Sequence, residues 1–130
     1  MRVLQPSAWP RPRGYANGIE ARGRMIFVAG QIGWDENERI VAKDFAGQFE
    51  QALKNILTVL RQADAGPEHV VRLTWYVLDK KAYLADAANI GGIYRRVMGK
   101  NFPVMSVIQV SALVEDEALV EIEATAVIPD

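Results

Sequence analysis

Two strand-forming segments of this chain are apolar on both faces, and this limits the folds that the chain can adopt. Residues 25–29, MIFVA, are apolar at every position, and residues 70–78, VVRLTWYVL, carry apolar side chains at both odd and even positions. Successive side chains of a strand point to opposite faces, so a sheet with one face in water would alternate apolar and polar residues more cleanly. Both faces of the sheet are therefore expected to be covered.

Only two segments have the helical period that could supply this cover. Apolar residues recur at spacings of three and four from residue 44 onwards, which predicts a helix over residues 44–65 that ends before Gly66-Pro67. A second helix is predicted to begin after the capping residue Asp79 and to end near Gly99. The predicted order is strands, helix, strand, helix and two strands.

Two helices cannot cover both faces of a sheet of four or more strands, so we expect both to pack on one face. The predicted fold class is α/β: a single two-layer domain over residues 1–130 with a mixed, mainly antiparallel sheet. The helix-free face is then expected to lie against another copy of the chain, because large exposed apolar patches usually mark interfaces. The sequence therefore predicts an obligate homo-oligomer.

Composition excludes several classes of function. The 130 residues include no cysteine and a single histidine, and the net charge is -1. Disulfides, thiol catalysis, cysteine-bound zinc and a paired-histidine metal site are excluded, and we expect neither a metal nor a cofactor. The charge gives no general attraction to nucleic acid or to a membrane surface, so neither is an expected partner. The apolar runs are too short to span a membrane and no signal peptide is recognisable, which predicts a cytoplasmic protein.

The last strand of the chain carries two carboxylates in an otherwise apolar run. Glu121 and Glu123 are two positions apart within VEIEATAVI, residues 120–128, and so share one face. A carboxylate in a partly dry cleft acquires a raised pKa, which suits proton transfer to or from a ligand or water. Solvated edge-strand residues or interface partners would show the same spacing, so the pattern alone leaves both interpretations open.

Several motifs together resemble those of the RidA/YjgF/YER057c/UK114 family. They are Gly14-Tyr15 with Gly18, MIFVAGQIG (25–33), TWYVLD (74–79), NFPVMSV (101–107) and LVEIEATAV (119–127). The resemblance covers nearly the whole chain and implies a two-layer fold like that of chorismate mutase, assembled as a homotrimer with clefts between subunits. It also implies hydrolysis of reactive enamines or imines, such as 2-aminoacrylate, to 2-keto acids and ammonia.

The resemblance also assigns roles to individual residues. Glu121 matches the glutamate that positions and activates the hydrolytic water, and Tyr15 matches a tyrosine of the pocket. Gly30 falls where the main chain borders the substrate, and Ser106 follows the position that binds the substrate carboxylate. Glu123 is left with a structural role, as a hydrogen-bond or ion-pair partner at an interface.

The sequence departs from the family at position 105. The resemblance implies that members that deaminate 2-aminoacrylate have an arginine there, whose guanidinium binds the substrate carboxylate through two hydrogen bonds. This chain has Met105 instead. A thioether cannot pair with a carboxylate, so Met105 predicts an apolar pocket wall suited to a larger ligand, and ordinary 2-aminoacrylate deamination is not expected. Arg13 is our first candidate for a replacement arginine, ahead of Arg95 and Arg96, and Trp34 is a candidate for the pocket rim.

Three functions remain open from the sequence. The first is an enzyme that deaminates an altered enamine or imine, for example a ring-derived compound similar to 2-aminomuconate, with Glu121 activating water. The second is a non-catalytic metabolite binder or sensor that keeps the trimer and its small-molecule cleft. The third is an endoribonuclease or translation inhibitor, for which the chain offers neither a histidine pair nor a basic stripe.

Overall fold

A computed structural model describes residues 1–130 of the chain. The elements are β1 (Arg2–Leu4), β2 (Gly18–Glu20), β3 (Arg24–Gln31), α1 (Phe45–Arg61), a 3₁₀ turn (Pro67–His69), β4 (Val70–Val77), α2 (Lys80–Ala85), α3 (Ala87–Met98), β5 (Val104–Gln109) and β6 (Val120–Ile128). Four strands form one sheet in the order β3-β6-β4-β5, while β1 and β2 pair separately. β6 runs antiparallel to both of its neighbours and β5 runs parallel to β4, which confirms a mixed, mainly antiparallel sheet.

The first helix is confirmed, but it ends earlier than its predicted limit. α1 stops at Arg61, and the next residues form a turn in which Asp64 adopts a left-handed φ of 57°. The backbone N–H of Ala65 then donates to the carbonyl of Leu60. The apolar run of the helix therefore continues into a closing turn that satisfies the last carbonyls without another helical turn.

The prediction of one long second helix is wrong, because two helices fill that segment. Asp79 caps α2 as expected, since its side chain accepts hydrogen bonds from the backbone N–H groups of Lys81 and Ala82. At Asp86 the backbone leaves the helical region, with φ -113° and ψ 18°, and α3 begins at the next residue. Gly99, with a left-handed φ of 68°, ends α3 where the sequence placed the stop.

The hydrophobic core lies between the helices and one face of the sheet. The largest fully buried side chains include Phe49, Leu53, Ile56 and Leu60 of α1, Ile90 and Met98 of α3, and Leu73, Val77, Val120 and Ile122 of the sheet. On β6 the burial alternates as predicted from Val120 to Ala126, because one face meets the core and the other carries the two glutamates. No helix of the chain is long and apolar enough to cross a membrane.

The helix-free face is apolar on β3 and more polar on β4 than the sequence indicated. Met25 is 60% exposed and Phe27 is 72% exposed on this face. On β4 the register shifts between Val70 and Arg72, so Val70 turns inward to the core. This bulge leaves the outer face of β4 with an arginine, a threonine and a tyrosine instead of Val70.

Two glycines give a matched test of the packing of the helices. Gly92 lies inside α3, and a Cβ there would meet no atom within 4 Å. We expect Gly92→Ala to raise the free energy of unfolding by about 1 kcal/mol, because alanine favours the helix. A Cβ on Gly33 would lie 2.6 Å from the Cα of Gln48 in α1, so Gly33→Ala is expected to lower that free energy by about 1–3 kcal/mol. Urea denaturation measures both changes, and a Gly33→Ala variant as stable as the parent would contradict the close contact between Gly33 and α1.

Candidate active site

The carboxylate of Glu121 lies directly over the backbone of Gly30. The two residues are on neighbouring strands, whose register is irregular between Val28 and Gln31. A Cβ placed on Gly30 would lie 2.5 Å from Oε2 of Glu121, a separation that real side chains do not show. This carboxylate can therefore keep its place only over a glycine.

The two glutamates of β6 have different surroundings. Glu123 accepts a hydrogen bond of 2.7 Å from the hydroxyl of Tyr76. Glu121 is half-buried and has no hydrogen-bond or salt-bridge partner within the chain. The pKa of the Tyr76 hydroxyl is raised, first by its hydrogen bond to Glu123, then by burial and by the negative charges of Glu123 and Glu121. Glu123 is thus engaged, whereas Glu121 is free to bind water or a ligand.

A buried amide of α1 fixes the backbone that leads to Glu121. Gln48 is 1% exposed, and its Nε2 donates to the carbonyls of Ala42 and Glu117, each at 3.0 Å. Its Oε1 accepts a 2.7 Å hydrogen bond from the backbone N–H of Leu119, two residues before Glu121. The start of β6 is therefore held by the helix in the core and does not depend on the surface loop before it.

A second amide of α1 fixes the backbone that follows Gly30. Nδ2 of Asn55 donates to the carbonyls of Ile32 and Trp34, at 3.1 and 2.9 Å, and Gln51 orients it through a 2.8 Å hydrogen bond to its Oδ1. The sequence reasoning missed both amides. Gln48 could have been found, because it is a polar residue within the apolar stripe of the helix.

Three of the sequence-predicted pocket residues line one cavity on the other side of the sheet. This open cavity of about 800 Å³ lies between α3, β5 and the segment before β2, and we call it the helix-side cavity. Arg13, Tyr15 and Met105 line it together with aromatic residues, among them Trp75 and Tyr94. The segment that contains Tyr15 runs along the open edge of β5, because Ala16 forms a β-bridge with Val104, the first residue of that strand.

Two of the three arginines that could replace the missing one lie at the helix-side cavity, and the third does not. Arg13 and Arg95 both line the helix-side cavity. Arg96 points elsewhere, with its guanidinium 2.6 Å from Oε1 of Glu50 on α1. The pKa of Glu50 is lowered, first by a hydrogen bond from Lys54 and also by Arg96, so this pair of charges is already satisfied.

Ser106 and Trp34 lie apart from the helix-side cavity. Ser106 is exposed and stands opposite Thr74 on the helix-free face, where it lines an open cleft of about 440 Å³ that Tyr15 and Met105 also border. Trp34 lines a different cleft of about 520 Å³, together with Arg39 and the acidic turn at residues 114–117. No group of three or more histidine or acidic side chains is placed so that it could hold a metal ion.

The sheet separates Met105 from Glu121 within one chain. Met105 stands opposite Leu73, which faces the core, and it packs against the core cluster. Glu121 stands opposite Tyr76, three residues further along β4 and therefore on the other face. One subunit alone does not bring the carboxylate and the helix-side cavity together.

Comparisons with known proteins agree on the kind of protein that this chain is similar to. A sequence model of the family described as Endoribonuclease L-PSP matches residues 8–128. A RutC family protein of Pyrococcus abyssi is 37% identical over 119 residues, which cover 90% of this chain and 89% of that protein. The human 2-iminobutanoate/2-iminopropanoate deaminase is 33% identical over 127 residues, covering 97% of this chain and 89% of the human protein. A crystal structure of the Rid family protein YyfB from Yersinia pestis, a protein of unknown function, has a TM-score of 0.84 and 40% identity with 98% of each chain covered.

Replacing the buried amide tests how far α1 determines the site. Gln48→Met would leave the N–H of Leu119 and two carbonyls without partners, so we expect the free energy of unfolding to fall by about 3 kcal/mol. Gln62→Met, on an exposed residue at the end of the same helix, is the control and is expected to change it by less than about 0.5 kcal/mol. Equal thermal and urea stabilities for the two variants would contradict the role given to Gln48.

Proposed function

We propose that this chain hydrolyses imines or enamines in a cleft between subunits. The chain belongs to the endoribonuclease L-PSP family, which includes the RidA, YjgF and UK114 proteins, and the proposal proceeds from that membership. The observation that carries this proposal is the unpartnered Glu121 carboxylate over Gly30. A half-buried carboxylate without a partner is suited to accept a proton from water. The deaminase name of the human relative supports the same class of reaction.

The reaction needs one base and one water molecule. Glu121 accepts a proton from water as the water oxygen forms a bond to the imine carbon, and it passes that proton to the imine nitrogen. In the tetrahedral intermediate the hydroxyl proton moves to the nitrogen by the same route as the C–N bond breaks, which gives a carbonyl compound and ammonia. An enamine enters the same path when Glu121 in its protonated form protonates its carbon, which gives the protonated imine and a carboxylate ready to act as the base.

The opposite orientations of Glu121 and Met105 support a site shared by two subunits. A ligand held in the helix-side cavity of one subunit would meet Glu121 only if a neighbouring subunit presents its helix-free face there. Met25 and Phe27 on that face are exposed in the single chain, and their burial would stabilise such an assembly. We propose the homotrimer that the resemblance implies, with the small-molecule site at each boundary.

Met105 favours a second candidate, a protein that binds a metabolite without converting it. A methionine stands in the helix-side cavity where a deaminase resembling the family's best-known members would have an arginine. Met105→Arg separates the two candidates, because a competent scaffold would gain 2-aminoacrylate hydrolysis from that change alone. RNA cleavage has no comparable support, since Nδ1 of the single histidine, His69, accepts a hydrogen bond from the N–H of Gly66.

The two glutamates of β6 form a matched pair for testing the proposed base. Glu121→Gln keeps the shape of the side chain but removes its basicity, so we expect kcat for imine hydrolysis to fall by about 100-fold or more. Glu123→Gln is the control, and we expect it to stay within about threefold of the parent because Glu123 only accepts the Tyr76 hydrogen bond. The substrates are 2-imino acids generated in place by an amino acid oxidase, and semicarbazide traps the imine that remains. Full turnover by Glu121→Gln would eliminate the proposed base.

Mixed oligomers test whether the site is shared. Glu121→Gln removes the base, and Met105→Trp fills the helix-side cavity, so each variant alone is expected to be inactive. If one subunit supplies the base and the next supplies the cavity, random mixing of unfolded chains in equal amounts followed by refolding restores about a quarter of the parent activity. A site contained in one chain would give no recovery, and that result would reject the shared cleft.

A further inference from the structure

We propose that the helix-side cavity binds an aromatic 2-imino acid and its 2-keto acid product, with Arg13 and Arg95 together holding the carboxylate in place of the arginine absent at position 105. This inference rests on the proposed function and names its substrate class. It assigns a new anchor to each end of the ligand: two arginines from separate segments for the charge, and an aromatic wall for the ring.

The charge of the cavity favours an anion. Arg13 and Arg95 are the only charged residues that line it, and both are exposed, so they stand at its mouth. Neither arginine has a carboxylate partner within the chain. A Cβ on Gly91 would lie 3.4 Å from Nη1 of Arg95, which places the guanidinium back along α3 beside the cavity wall. Two uncompensated guanidinium groups at one mouth suit a carboxylate, for which arginine offers paired donors.

The interior of the cavity favours a ring. Trp75, Tyr94 and Phe102 line it, and their rings lie close together, with centroids 6.3 Å apart for Trp75 and Tyr94 and 5.9 Å apart for Tyr94 and Phe102. Met105 adds a flexible, polarisable thioether, which packs well against aromatic groups. An arginine at position 105 would occupy this apolar space and place a charge in it, so the methionine extends the room for an apolar ligand body.

The two buried aromatic side chains contribute their rings to the wall, and their polar atoms are not available to a ligand. Trp75 is 4% exposed, and its indole Nε1 is buried below the surface that a ligand in the open cavity would touch. The Tyr94 hydroxyl already donates to the carbonyl of Asn101. The wall therefore recognises a ring by contact, and the two arginines supply the polar recognition.

Calorimetric titration of the parent protein with three probes tests both parts of the site. Phenylpyruvate carries the carboxylate and the ring, and we expect it to bind most tightly. Pyruvate lacks the ring and 2-phenylethylamine lacks the carboxylate, and each is expected to bind at least about tenfold more weakly. Equal affinity for pyruvate and phenylpyruvate would overturn the proposal, and this measurement needs no variant to fold.

Arginine variants test the anchor for the charge. The double variant with Arg13→Gln and Arg95→Gln is expected to lose about tenfold or more in phenylpyruvate affinity. Arg96→Gln is the control, because Arg96 neighbours Arg95 on α3 but pairs with Glu50, and its affinity should match the parent. Unchanged affinity in the double variant would overturn the assignment of the two arginines.

The outcome for the ligand and the outcome for the reaction are separable. If phenylpyruvate binds through the arginines but imine turnover is absent or independent of Glu121, the proposed function fails and the ligand assignment stands. If short-chain 2-imino acids are hydrolysed in a Glu121-dependent way while phenylpyruvate does not bind, the ligand assignment fails and the proposed function stands.

Discussion

The buried amide of Gln48 is the interaction on which the geometry of the candidate site depends. It pairs with the carbonyl of Ala42 before α1 and with backbone groups of Glu117 and Leu119 just before β6. Asn55, two turns later, pairs with two carbonyls in the segment after Gly30. The same helix also approaches the backbone at Gly33 so closely that a side chain there would overlap it. The segment before Glu121 and the segment after Gly30 are thus both hydrogen-bonded to α1. Because Gln48 is 1% exposed, each hydrogen bond that it failed to make would leave a costly unpaired group in the core.

Much of the fold could be predicted because it follows from local periodicity. The apolar stripe of α1, the apolar run of β4 and the alternation of β6 each depend on the spacing of neighbouring residues, and each is present. The break between α2 and α3 was missed because the apolar spacing continues across Asp86, where only the backbone conformation changes. The inward turn of Val70 was missed for a related reason: a bulge shifts the parity of a strand without leaving a mark on its composition.

The candidate site was only partly predictable, because its geometry depends on pairings that are distant in sequence. The chain shows that Glu121 and Glu123 share a face, but it does not show that Tyr76 satisfies one of them and leaves the other free. Nor does it show which of Met105 and Ser106 shares a face with Glu121, since this is decided by the register of β5 on β4. The orphaned indole N–H of Trp75 is likewise a property of packing and has no sequence signal.

The strand order has a consequence for how such a protein changes over time. Met105, which lines the helix-side cavity, and Glu121, the proposed base, lie on opposite faces of one sheet, two strands apart. A substitution at Met105 therefore alters the wall of the helix-side cavity without touching the packing around Glu121. An insertion or deletion within β5 would not be tolerated in the same way, because it would exchange the faces of Met105 and Ser106.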